Sequence, residues 1–192
     1  MNFSVKKILI LIIFFAFGFS QNDHDLVSND SVNIQQGSKI DDFNVIDDKG
    51  QTISFTSDIL GERKAIVLVF FRGFWWPHCR KQLVELSKLK LPNNVKIYAI
   101  SNEDHSKSKS LQKQFKRKQS IHFLRDNTGE VFEYFGIIDP RYSNSKRDGI
   151  PYASTYVVGN DSRVSYSYIA LDYKKRPTSN QIIFEINKVL KK

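Results

Sequence analysis

The chain has 192 residues, room for one domain with short extensions, and carries 29 Lys and Arg against 20 Asp and Glu, a formal charge of +9. Such a balance invites a nucleic-acid partner, but much of the excess lies in residues 107–118 and at Lys191-Lys192, where a solvated surface accounts for it, so no nucleic acid is expected. The single cysteine, Cys79, excludes an intrachain disulfide, and with four scattered histidines it offers no C-x-x-C pair; neither a metal nor a cofactor is expected.

Residues 1–20 read as a secretory signal peptide. Lys6 and Lys7 form a basic start, Ile8 to Phe19 a nearly unbroken apolar run, and Gly18-Phe19-Ser20 a small-residue exit. The run is short for a membrane span, so a membrane is a partner only if this segment stays attached. Its removal takes away two lysines and no acid, leaving 27 basic and 20 acidic residues in a periplasmic or extracellular protein. One leftover cysteine in an exported chain points to a reactive thiol or to an intermolecular partner. Residues 21–36 are polar and weakly patterned and read as a flexible leader; residues 37–192 form the domain.

The domain begins with a hairpin. Phe43 and Val45 alternate with Asn44, Ile53 and Phe55 alternate with Ser54, and Asp47-Asp48-Lys49-Gly50 supplies the turn. Thr56-Ser57-Asp58 is the expected cap of a short helix ending at Gly61. Ala65 to Phe71 is seven apolar residues in a row, a central strand buried on both faces. Gly73 ends it, Phe74 to Trp76 form an aromatic loop, and Pro77 stands where a helix begins. That helix carries Leu83, Leu86 and Leu89 on one face, and Asn94 to Ile100 is the next strand, giving a right-handed βαβ crossover. A charged helix is expected over Asn102 to Gln119, a short strand over His122 to Leu124, and a helix capped by Thr128 running through Phe135. After a polar loop, Gly136 to Ile150, a second hairpin pairs Ser154–Val158 with Val164–Ala170. Ser179 to Lys192 closes the chain as an amphipathic helix with Ile182, Ile183, Ile186, Val189 and Leu190 inward. The order predicts an α/β sandwich with a mixed sheet and helices on both faces.

Cys79 lies in the first turn of the helix after the central strand. Backbone N–H groups there lack partners and carry partial positive charge, which favours a thiolate, the nucleophilic and oxidisable form. Arg72, His78, Arg80 and Lys81 are close in sequence and add to that charge. Cys79 is also in line with Leu83 and Leu86, as an inert core cysteine would be. A hydrolase-type pairing with His78 or His122 is disfavoured: adjacent helical residues diverge, and His122 opens a strand.

Several stretches resemble a known family. Gly37-Ser38-Lys39-Ile40-Asp41-Asp42-Phe43 with Asp48-Lys49-Gly50 is similar to the opening hairpin of the alkyl hydroperoxide reductase/thiol-specific antioxidant (AhpC/TSA) family. Val69 to Leu83 is similar to a subgroup pattern, F-x-R-G-x-W-C-P-x-C-R-x-x-L; Thr155-Tyr156-Val157-Val158 and Asp172 to Arg176 match the same subgroup's final hairpin and the segment after it. The resemblance implies a thioredoxin-like, peroxiredoxin-like three-layer sandwich with an N-terminal β-hairpin. It also implies a site at Trp75, Trp76, Pro77, His78 and Cys79, where Cys79 attacks a peroxide and is recycled by an external thiol. The chain departs from the pattern in three places. Trp76 replaces the first cysteine of C-P-x-C, so dithiol exchange within the chain is impossible. Arg72 stands at the peroxiredoxin proline. Ala153 stands where thioredoxins have a cis-proline and peroxiredoxins an arginine. An active-site arginine must therefore come from Arg72, Arg80 or Arg176. Two readings stand: a single-cysteine peroxidase or related oxidoreductase acting on a peroxide or a disulfide, and a thioredoxin-fold binding or scaffold module that has lost catalysis.

Overall fold

The computed structural model describes residues 26–27, 32–104 and 121–191. Among the described residues, seven strands form one mixed sheet. In chain order they are β1 (Asn44–Ile46), β2 (Thr52–Ser54), β3 (Ala65–Phe70), β4 (Val95–Ser101), β5 (Ile121–Arg125), β6 (Ala153–Gly159) and β7 (Val164–Ala170). Their spatial order is β2-β1-β5-β4-β3-β6-β7. The helices α1 (Pro77–Leu86), α2 (Glu130–Phe135) and α3 (Ser179–Leu190) cover its faces.

The apolar run predicted as the central strand is β3, and all six of its side chains are buried. It pairs in parallel with β4 and antiparallel with β6. Because side chains alternate along a strand, β3 feeds two cores. Ala65, Val67 and Val69 face the layer that holds Leu83 and Leu86 of α1 and Ile182 and Ile186 of α3. Ile66, Leu68 and Phe70 face the opposite layer, with Phe55, Ile59, Leu60, and Val131, Phe132 and Phe135 of α2. Each of these buried aliphatic or aromatic side chains contributes about 1.5–3 kcal/mol relative to exposure, so the three layers are held from the middle outwards. Cys79 belongs to the α1–α3 layer.

Three local expectations are corrected. The helix over Phe55–Leu60 is a wide turn closed by Gly61 N–H donating to Thr56 O, and its cap is Ser54, whose hydroxyl accepts from Ser57 N–H, not the Thr56–Asp58 group. The cap before α2 is shared: the Thr128 hydroxyl accepts from Glu130 N–H at 3.4 Å, and the Asp126 carboxylate accepts from the N–H groups of Gly129 at 2.9 Å and Phe132 at 3.0 Å. A carboxylate takes two donors at once, and Asp126 sits at the end of β5 where both come within reach. The described parts of residues 21–36 are docked. Leu26 bridges to Ala170, Val27 N–H donates to Ile169 O, and Asn33 and Ile34 N–H donate to Phe135 O. Val27, Val32 and Ile34 supply the apolar area that seats them. In α3 only Ile182 and Ile186 are fully inward. The signal peptide and most of the charged 102–119 helix lie outside the described residues.

Candidate functional site

The site lies where β3 gives way to α1. The ladder continues through Phe71, whose N–H donates to Ile100 O, and then the backbone turns sharply. Gly73 makes the turn at φ +136°, in a region that disfavours side chains. A Cβ there would overlap Trp75 Nε1, so the indole occupies the space glycine leaves. Phe74 N–H donates to Glu103 Oε2 at 2.6 Å and Trp76 N–H to Gly73 O at 3.2 Å, fixing the aromatic loop. Pro77 is the first helical residue and Trp76 the cap position, which offers no side-chain acceptor to the first turn.

Cys79 is fully buried among the apolar residues of the α1–α3 layer. Its sulfur nonetheless meets one cation: Arg176 Nη2 lies 3.5 Å from Sγ. The Arg176 guanidinium is tightly held. Nε donates to Gln82 Oε1 at 2.8 Å, and Nη1 donates to Tyr173 O at 2.7 Å and Lys175 O at 2.5 Å. Gln82, one turn after Cys79 on α1, is fixed in turn by donating from Nε2 to Thr155 Oγ1 at 3.2 Å. Burial pulls the Arg176 pKa below the usual guanidinium range, and the neighbouring Cys79 works in the opposite direction. Arginine keeps its proton throughout the physiological range regardless.

Arg72 and Arg80 do not touch the sulfur. Arg80 is exposed on the outer side of α1. Arg72 is fully buried and committed elsewhere: Nη2 pairs with Asp139 Oδ2 at 2.5 Å and Nη1 donates to Tyr142 Oη at 3.0 Å. Its guanidinium carbon lies 5.5 Å from the Trp76 ring centroid, 4.9 Å from Tyr142 and 5.4 Å from Tyr173, an aromatic enclosure that suits a planar cation. Asp139 also receives Arg141, through Nε on Oδ1 at 2.8 Å and Nη2 on Oδ2 at 2.7 Å, which raises the Arg141 pKa.

Trp75 is 42% exposed and Arg147 stacks over it at 4.8 Å; Trp76 is partly buried, edge-on to Tyr173 at 5.1 Å. His78 also packs on Tyr173, at 6.0 Å. His122 stacks on Tyr98, whose ring belongs to the opposite core, so it does not join Cys79. Asp139, Tyr142 and Arg147 escaped the sequence reading, and Gln82 and Tyr173 fell inside its motif stretches without being given a role; of the first three, the loop group Asp139-Pro140-Arg141-Tyr142 carries a local signal, a turn with charges on both sides of a proline.

Two surface cavities, of about 750 and 590 Å³, lie elsewhere, the first lined by Lys64, Arg163 and Lys188 among others, the second by Asp58, Arg63 and Tyr98. Neither brings a nucleophile to a charge partner, so convergence of chemistry, not volume, identifies the Cys79 centre. Among the described residues, no three His, Cys, Asp or Glu side chains group as a metal site, and no helix is long and apolar enough to cross a membrane.

Solved structures share this architecture. A peroxiredoxin-like protein from Aquifex aeolicus superposes with a TM-score of 0.65 at 13% identity, over 82% of this chain and 88% of that one. AhpC of Enterococcus faecalis gives 0.64 at 18% identity over 82% and 93%. A yeast mitochondrial 1-Cys peroxiredoxin, described with its thiol-resolving mechanism via glutathione/thioredoxin systems, gives 0.65 at 17% over 82% and 77%. At these identities the likeness establishes the fold, which is thioredoxin-like in its peroxiredoxin form. No curated protein matches the chain in sequence. The model of the AhpC/TSA family matches residues 36–167, more than half the chain and the whole sheet up to the middle of β7, and the chain belongs to that family.

Proposed function

We propose that this protein is an exported peroxidase that works through one cysteine. Cys79 sulfur attacks the terminal oxygen of a hydroperoxide: the S–O bond forms, the O–O bond breaks, and sulfur is oxidised by two electrons to sulfenic acid. The thiol proton ends on the departing oxygen, giving an alcohol or water. Two equivalents of an external thiol then return the sulfenic acid to the thiol, releasing water and a disulfide. Reduction by glutathione or thioredoxin systems, as described for the yeast relative, supports an external reductant, since the chain has no second cysteine.

The observation that carries the proposal is the 3.5 Å approach of Arg176 to Cys79 Sγ at the start of α1. A fixed cation beside the sulfur offsets charge as it builds on sulfur and leaving oxygen, without reorganising during the reaction. The test is intact-mass measurement after brief hydrogen peroxide treatment with a thiol-trapping reagent present. Addition of one oxygen confined to Cys79, absent in Cys79→Ser and slowed about 100-fold in Arg176→Gln, is the expected result. Export is tested by the N-terminal sequence of the protein recovered from the producing cells, which should start after residue 20.

The complete burial of Cys79 favours a second reading, a binding module in which the cysteine is packing material and the exposed Trp75 the contact. A Cys79 thiol that stays unmodified in peroxide decides for it.

A further inference from the structure

Hydrogen-bond bookkeeping around Arg72 leaves two buried donors over. Arg72 Nε and Trp76 Nε1 are buried and bond to nothing. Indole and guanidinium N–H groups only donate, so neither can be satisfied by another donor. Each acceptor nearby already receives at least one other donor. Asp139 Oδ1 receives Arg141 Nε, and Oδ2 receives both Arg72 Nη2 and Arg141 Nη2. Tyr142 Oη receives Arg72 Nη1, and Gln82 Oε1 and Tyr173 O receive Arg176. Buried polar groups left without partners are rare and call for an explanation.

The two donors are neighbours. The Arg72 guanidinium faces the Trp76 ring at 5.5 Å, and both groups pack on Tyr173, at 5.4 and 5.1 Å. The carbonyl of Tyr173 holds Arg176, whose other arm meets Cys79 Sγ. Trp76 is three residues ahead of Cys79, at the cap of the same helix. The two unspent N–H groups therefore belong to side chains packed on the Tyr173 ring, while the Tyr173 carbonyl holds the arginine that meets the sulfur, and what the two donors lack is an acceptor oxygen.

We propose that Trp76 Nε1–H and Arg72 Nε–H bind the departing oxygen of a hydroperoxide whose terminal oxygen is taken by Cys79, which makes Trp76 a catalytic residue rather than a plug over the sulfur. The inference rests on the peroxidase reading above. As the O–O bond breaks, the departing oxygen gains charge before it collects the proton given up by the thiol. Two donors fixed in a dry surround stabilise that charge, whereas in the resting protein they stabilise nothing.

Trp76→Phe keeps an aromatic ring and removes the N–H. The expected result is a second-order rate of Cys79 oxidation by hydrogen peroxide, and by tert-butyl hydroperoxide, lowered about 100-fold, with alkylation by iodoacetamide changed less than about twofold. Iodoacetamide needs a nucleophilic sulfur but has no O–O bond to break. Equal peroxide rates in variant and wild type overturn the inference and leave the peroxidase reading intact. A parallel loss of both reactions makes Trp76 a packing residue and overturns it too. Wild-type protein inert to peroxide removes the peroxidase reading itself. Should Trp76→Phe fail to fold, the indole N–H resonances of Cys79→Ser decide, titrated with hydrogen peroxide and assigned with Trp75→Phe. The Trp76 signal moves if the inference holds and stays still if it does not.

Discussion

Asp139→Asn should cost this protein more stability than any other single-atom change at its polar residues. Asp139 and Arg72 are both fully buried, so neither charge has water to fall back on. The substitution keeps the shape of the side chain and removes the charge, leaving the Arg72 cation in an apolar surround with a neutral amide oxygen, Tyr142 Oη and three aromatic faces. Breaking a buried pair from one side costs about 3–5 kcal/mol, because the remaining charge is uncompensated. Arg141 adds little to that figure, since its side chain is 43% exposed and recovers solvent. For a chain of this size, about 2–4 °C of melting temperature accompanies each kcal/mol, so a drop of about 10 °C is expected. Urea unfolding followed by far-UV circular dichroism measures the free energy directly. The double variant Arg72→Met, Asp139→Leu removes both charges and should regain at least half of the loss. A single-variant cost below about 1 kcal/mol, or a double variant worse than the single, would refute the claim that the pair is a closed, mutually dependent unit.

Three further outcomes follow from named contacts. Gly73→Ala places a Cβ against Trp75 Nε1 at a backbone angle hostile to side chains; about 1–3 kcal/mol of stability should be lost, together with a shift in tryptophan fluorescence as Trp75 is displaced. Thr178 caps α3 by accepting from Gln181 N–H while Gln181 Oε1 accepts from Thr178 N–H; Thr178→Ala should cost about 1 kcal/mol in urea unfolding and Thr178→Ser much less. Asp42 is held below the ordinary carboxyl pKa of 3.8, first by the Thr56 backbone N–H and then by the Ser54 hydroxyl. Its folded pKa is depressed, so its contribution is present above the unfolded value and disappears as pH falls through the folded one. Carboxyl-carbon NMR should give a midpoint under 3.8, and Asp42→Asn, less stable than wild type at neutral pH, should match it in strong acid.

What could be read from the sequence was whatever depends on neighbours in the chain. Residues 65–70 are apolar without interruption, and only a strand covered on both faces uses such a run. The turn chemistry of residues 47–50 gave away the first hairpin. Errors fell where a side chain reaches across a turn. Thr128 takes one donor, Glu130 N–H, as its hydroxyl suggests, but Asp126 has two oxygens and stands where the strand ends, so it takes two more, Gly129 and Phe132 N–H. The described part of the expected leader departs from the reading for a related reason. Its few apolar residues, Leu26, Val27, Val32 and Ile34, are too sparse to show a period, yet each finds a seat on the domain.

The site shows the same division more sharply. Cys79 at the head of α1 was visible, because strand, glycine, proline and amphipathic helix follow one another directly. Its partner was not: Arg176 lies 97 residues later, and nothing local separates it from Arg72 or Arg80 as the cation for the sulfur. The structure separates them by their other obligations. Arg80 has water. Arg72 has Asp139 and an aromatic surround, and it holds the 139–142 turn against the end of β3. Arg176, half-buried, has one arm left for the sulfur once Gln82, Tyr173 and Lys175 have taken the rest. An arginine directly after a central strand is costly to bury, and that cost explains the company it keeps: one carboxylate for its charge and three rings for its faces. Trp76 is one of those rings and also the residue ahead of the Cys79 turn, so the charge needed to seat Arg72 and the geometry around the sulfur are set by the same side chain.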